Sequence, residues 1–168
     1  MREDGLEPVG FFYNPNIHPY LEYKKRLDTL KEFSLRSGLE VIMGGGYDLD
    51  DFLSRVVGKG AGRCERCYRM RLDAAAAEAE RLGLPAFTTS LLYSKRQKHE
   101  LVKGVAEETA QEHGLEFYYE DFRLGWREGI LESKAMGLYR QQYCGCVFSE
   151  RDRYLVEGRE GIMQKAKR

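Results

Sequence analysis

Gly62-Arg63-Cys64-Glu65-Arg66-Cys67-Tyr68-Arg69-Met70-Arg71-Leu72 joins a glycine-containing loop, Gly58 to Gly62, to an alanine-rich run that continues through Ala74 to Ala77 and stops at Gly83. The spacing predicts a long helix that opens on a C-x-x-C pair. Thiols so placed reach one metal, one iron–sulfur cluster, or each other. Free amides at a helix start favour the thiolate, and Arg63, Arg66, Arg69 and Arg71 add positive charge. The only other cysteines, Cys144 and Cys146, flank Gly145.

Working outward, strands and helices alternate. Val9 to Tyr13 reads as a buried strand closed by Asn14-Pro15-Asn16. Pro19 suits a first helical turn, with Tyr20, Tyr23, Leu27, Leu30 and Phe33 at helical spacing and Gly38 as the stop. Leu39 to Met43 is a second strand, ended by Gly44-Gly45-Gly46. Asp48 caps a short helix whose inner face holds Leu49, Phe52, Leu53 and Val56. Beyond the C-x-x-C helix come a strand within Leu84 to Leu92, a helix from Gln97 to His113 and a strand from Leu115 to Tyr119. A helix from Trp126 to Gly137 follows, then a loop from Tyr139 to Cys146. This order predicts one α/β domain over residues 1–168, with 150–168 a charged tail. Its parallel sheet carries helices on both faces. Ligands gather beyond the carboxyl ends of such strands, where Asn14, Gly44, Thr88 to Ser90 and Asp121 fall.

The 27 basic and 27 acidic residues cancel, so bulk charge selects no partner. No apolar run approaches the roughly 20 residues of a membrane helix, and Met1 to Pro8 lacks a signal peptide's apolar stretch. Four cysteines are too few for a secreted disulfide scaffold, so metal binding or catalysis in a reducing cytoplasm is expected.

Cys64 and Cys67 need two more donors as zinc ligands, and further cysteines as cluster ligands, but no others as a redox dithiol. Two semi-buried helix cysteines are the plainer reading. A disulfide between Cys144 and Cys146 closes a small strained ring that is easily reduced. That suits a redox pair better than a staple, although a reduced, metal-binding or inert pair fits the same spacing. Asp121 follows a strand as a ligand, an acid–base group or a turn cap. Tyr139 and Tyr143 flank the second pair as base-stacking or proton-donating groups, or as core. His18, at a helix entrance, is a site residue or a packing one.

Five blocks in order resemble the QueH-type epoxyqueuosine reductases. They are Phe11-Phe12-Tyr13-Asn14-Pro15-Asn16-Ile17-His18-Pro19 with Glu22-Tyr23; Arg63 to Leu72; Phe87-Thr88-Thr89-Ser90-Leu91-Leu92; Asp121-Phe122-Arg123; and Gly137-Leu138-Tyr139-Arg140-Gln141-Gln142-Tyr143-Cys144-Gly145-Cys146-Val147-Phe148-Ser149. The resemblance implies a Rossmann-like fold related to the adenine-nucleotide alpha-hydrolases. It implies two-electron reduction of the epoxide of epoxyqueuosine at the tRNA wobble position, with an unidentified electron donor and no membrane or DNA partner. It further implies a [4Fe-4S] cluster with Cys64 and Cys67 as two ligands and a redox disulfide of Cys144 and Cys146; the residues themselves offer Asp121 or Tyr143 as proton donor. Lys95, Arg96, Lys98 and Arg140 are candidate phosphate contacts. The family pattern also begins with a further strand and an adjacent Cys-Cys supplying the other two ligands. Met1 to Pro8 contains no cysteine, so the expectation is a segment upstream of Met1, a sheet lacking its first strand and an incomplete ligand set, with a variant unable to assemble the cluster as the alternative. A zinc-containing RNA-binding domain and a cluster-free thiol–disulfide oxidoreductase are the rival readings.

Overall fold

The computed structural model describes residues 5–155. Strand β1 (Gly10–Phe12) leads through Asn14 to Pro19 into α1 (Tyr20–Ser37), and β2 (Val41–Met43) returns beside it. Gly38 ends α1 at φ +66°, a left-handed turn that a residue without Cβ adopts at no steric cost. Helix α2 (Leu49–Val56) starts where the Asp48 carboxylate accepts from the Asp51 amide at 2.9 Å. A 3₁₀ turn over Gly60–Gly62 then delivers α3 (Arg63–Arg81). Next come β3 (Ala86–Phe87), α4 (His99–His113), β4 (Glu116–Phe117), α5 (Trp126–Ala135) and α6 (Val147–Tyr154).

The strands pair in parallel, as the alternation requires: β1 with β2 in register Gly10↔Val41, and β3 with β4 in register Ala86↔Glu116. The single sheet expected from the sequence is corrected. Among the described residues the pairs remain separate, each joined within its own β–helix–β unit. The strands are only two or three residues long, so ladder bonds contribute little. Helix packing carries the architecture instead.

Most of the core lies between α3 and α4. Tyr68, Leu72, Ala76 and Ala79 meet Val102, Val105, Ala106 and Ala110, with Phe87, Leu91 and Leu92 beneath. Alanines on both helices allow a close approach, and each fully buried Leu or Val contributes about 1.5–3 kcal/mol. A second cluster joins Phe12, Ile17 and Tyr23 under α1. The third, built on Phe52, Val56 and Cys146, takes in Leu53, Cys67, Met70, Cys144 and Phe148.

Several boundaries differ from the sequence reading by a few residues, and two helix starts show why. Helix α4 begins at His99 rather than Gln97, because Ser94 and Gln97 close a turn first. Helix α6 begins at Val147, immediately after the second cysteine pair, so the segment from 150 opens inside a helix. Residues 156–168 of the expected tail lie outside the described residues. Among the described residues no helix is long and apolar enough to cross a membrane.

Candidate active site

Cys64 and Cys67 lie one turn apart on the first turns of α3, and Cys67 packs into the third cluster with Cys144 and Cys146. All four are unbridged thiols, and Cys64, Cys144 and Cys146 lie near enough that their ionisation would further oppose that of Cys67. Sequence positions 80 residues apart on the order of magnitude are thus brought to one place. The fold does this by laying the 139–146 loop over α2 and the start of α3.

The expected ease of forming a thiolate at Cys67 is corrected. Burial pushes its thiol up to about 12, only partly opposed by Arg71. Cys67 lies a full turn inside α3, so the free amides of the helix start are out of its reach, and desolvation by the apolar third cluster dominates. Burial also raises Cys146, while the Phe148 and Ser149 amides at the start of α6 pull it back. The arginine halo is likewise smaller than expected. Arg69 turns to Glu108 and Glu112 on α4, Arg63 pairs with Asp152, and Arg71 donates to Asn14 Oδ1 at 2.9 Å.

The loop carrying Cys144-Gly145-Cys146 is docked through its backbone. Arg26 Nη2 donates to the Tyr143 carbonyl at 3.0 Å, and Nη1 donates to the Cys144 carbonyl at 3.1 Å. Asn16 Nδ2 donates to the same Cys144 oxygen at 3.1 Å, and the His18 amide donates to the Gly145 carbonyl at 2.8 Å. Tyr143 returns its hydroxyl to the His18 carbonyl. Asn16, His18 and Arg26 dock this loop, a role that sequence reasoning missed or undervalued. Their partners lie more than a hundred residues away, where no local pattern reaches.

The two candidate proton donors sit in opposite electrostatic settings. Tyr143 is committed to His18, and burial followed by the nearby Glu22 charge raises its phenol to about 12. It is therefore a neutral phenol whose hydroxyl donates to the His18 carbonyl. Asp121 accepts from the Arg123 amide and is gripped by the Arg123 guanidinium at 2.6 Å, holding its carboxyl at about 2. A carboxylate so strongly ionised has no proton to give near neutrality; of the roles read from the sequence, the turn cap is the one its hydrogen bonds fit. Because its folded value is depressed, this ion pair adds stability above the ordinary carboxylate range near 4, which is lost as pH falls from there toward about 2. Arg123→Ala is expected to return Asp121 to about 4, read from its carboxyl carbon shift in an NMR pH titration.

His18 is 1% exposed, donates or accepts at Nδ1 with the Tyr47 hydroxyl, and is held neutral by burial. It serves the loop through its backbone. Lys95, Arg96, Lys98 and Arg140 are exposed. Among the described residues no three His, Cys, Asp or Glu side chains converge where one metal ion would sit. Cys64 and Cys67 thus offer a two-thiol pair rather than a full ligand set.

Known proteins match this chain over most of its length. The family described as "Epoxyqueuosine reductase QueH" matches residues 1–152. The epoxyqueuosine reductase QueH of Dehalococcoides mccartyi is 39% identical over 91% of this chain and 84% of its own. That of Thermotoga maritima is 36% identical over 89% of this chain and 80% of its own. The Helicobacter pylori protein of the same name is 40% identical over 86% of this chain and 42% of its own.

Proposed function

The chain belongs to the QueH epoxyqueuosine reductase family, and on that premise we propose how it works as an oxidoreductase of tRNA modification. The substrate is epoxyqueuosine in the anticodon loop of a tRNA. The epoxide becomes an alkene, its oxygen leaves as water, and the change consumes two electrons and two protons. A dithiol closing to a disulfide releases that same number of each. Cys144 and Cys146 are the pair assigned this role, and an external reductant restores them. The observation that carries the reading is that Cys67 shares one apolar cluster with Cys144 and Cys146, with Cys64 one turn before it on the same helix.

Cys64 and Cys67, one turn apart on one helix, fit as two thiolate ligands of a [4Fe-4S] cluster. When bound, such a cluster supplies electrons one at a time and favours its ligands as thiolates. The protein's own contribution is to hold the second pair beside the first through Arg26, Asn16 and His18. The apolar wall of Phe52, Val56 and Met70 limits water there. The parallel β–helix–β units support the Rossmann-like relationship. Lys95, Arg96, Lys98 and Arg140 supply exposed positive charge for phosphates, since single-stranded loops are bound by cations and stacking aromatics.

The test is anaerobic purification with iron, acid-labile sulfide and zinc measured together, followed by incubation with tRNA carrying epoxyqueuosine and a reductant. Nucleoside mass spectrometry is expected to find queuosine, one oxygen lighter. A reconstituted, fully reduced protein that forms none overturns the assignment, as does zinc in place of iron with no turnover.

A further inference from the structure

Three consecutive carbonyls, those of Tyr143, Cys144 and Gly145, each accept from the segment 16–26, and Arg26 serves two of them. Its guanidinium is itself fixed. Nε donates to Glu22 Oε1 at 2.7 Å, and Nη1 also donates to Gln141 Oε1 at 2.7 Å. The Arg26 and Glu22 side chains are 9% and 13% exposed, and Tyr139 donates its hydroxyl to both Glu22 oxygens, at 2.8 and 3.1 Å. Such a buried pair is costly to assemble unless its remaining hydrogen-bonding capacity is used. Here the unused donors of the planar fork are spent on the backbone around Cys144.

We propose that Arg26 is a positioning residue that holds the Cys144-Gly145-Cys146 loop in its dithiol shape and so sets how readily the pair closes to a disulfide. This rests on the redox role proposed above. Joining two sulfurs across a single residue turns the peptide planes on either side of Gly145, which moves the Cys144 and Gly145 carbonyls off their donors. The clamp therefore stabilises the open pair and makes it a weaker reductant than an unclamped one. Closing the bond takes two electrons and two protons from the Cys144 and Cys146 thiols, and glutathione disulfide receives them as two glutathione thiols.

Arg26→Lys keeps the charge opposite Glu22 but offers a single ammonium in place of the fork. Full-length wild type and R26K are equilibrated in glutathione buffers, quenched and alkylated. Tryptic peptide 141–151 contains Cys144 and Cys146 and no other cysteine, so mass spectrometry reads this pair alone. The expected result is a tenfold shift of the equilibrium toward disulfide in R26K, about 30 mV, with a cooperative unfolding transition retained. Tyr139→Phe, which loosens only Glu22, is expected to shift the equilibrium in the same direction by about threefold, and it stands in if R26K does not fold. Constants within twofold of wild type in the folded variants overturn the proposal. If the wild-type pair never oxidises, the redox role of the pair fails. Hydrogen exchange over 141–151 then decides the clamp: tenfold faster exchange in R26K upholds the positioning, and unchanged exchange overturns it.

Discussion

Gly145→Ala is expected to destabilise the protein by about 3 kcal/mol and to remove activity, because strain and overpacking each cost about 1–3 kcal/mol. Gly145 sits at φ +112°, a conformation L side chains rarely adopt. A Cβ there would lie 2.8 Å from Ile17 Cγ1, 3.1 Å from Arg26 Nη1 and 3.1 Å from Asn16 Nδ2. Ile17 and Asn16 are buried, and Arg26 is fixed by Glu22, so none of the three yields cheaply. Relief requires the loop to lift, which breaks the bonds to Arg26, Asn16 and His18 together. Urea unfolding measures the loss of stability, and queuosine formation measures the loss of function. An alanine variant with wild-type stability and turnover would mean that the docked loop is not the working state.

Cys146→Ser separates chemistry from stability in the opposite way. Turnover is expected to fall by on the order of a thousandfold or more, as for removal of a residue that itself undergoes the reaction. Iron bound through Cys64 and Cys67 is expected to remain. Stability is expected to hold, because position 146 is the N-cap of α6 and serine is a favoured residue there. Serine is also close in size to cysteine, so the third cluster keeps its packing. Iron analysis, thermal unfolding and turnover on one preparation make the comparison. Full activity in this variant removes the Cys144–Cys146 pair from the mechanism.

Much of the frame was legible because local chemistry set it. Gly38 and Gly114 stop α1 and α4 in left-handed turns, and Asp48 caps α2, all as their residue types require. The C-x-x-C at the start of α3 was readable from the glycines before it and the alanines after it. The split of the sheet was not, since strand length and lateral pairing depend on neighbours far away in sequence. The height of the Cys67 thiol was missed for a related reason. A helix start is a local feature, whereas the apolar wall that desolvates this sulfur comes from α2 and the 139–146 loop. Asp121 shows the converse: its controlling partner, Arg123, stood two residues away, and the ion pair was available to a closer reading.

Synthesis proceeds from the N-terminal side, and the clamp that docks the second cysteine pair joins residues 115 to 128 positions apart. At roughly 5–20 residues per second, the stretch of about 80 residues between Cys67 and Cys144 takes on the order of 4–15 s to emerge from the ribosome. Helix α4 can pack on α3 before that interval ends, but Cys67 lacks the cover that the 139–146 loop later supplies. Whatever must reach Cys67 has its widest access then, before the 139–146 loop arrives and closes over it.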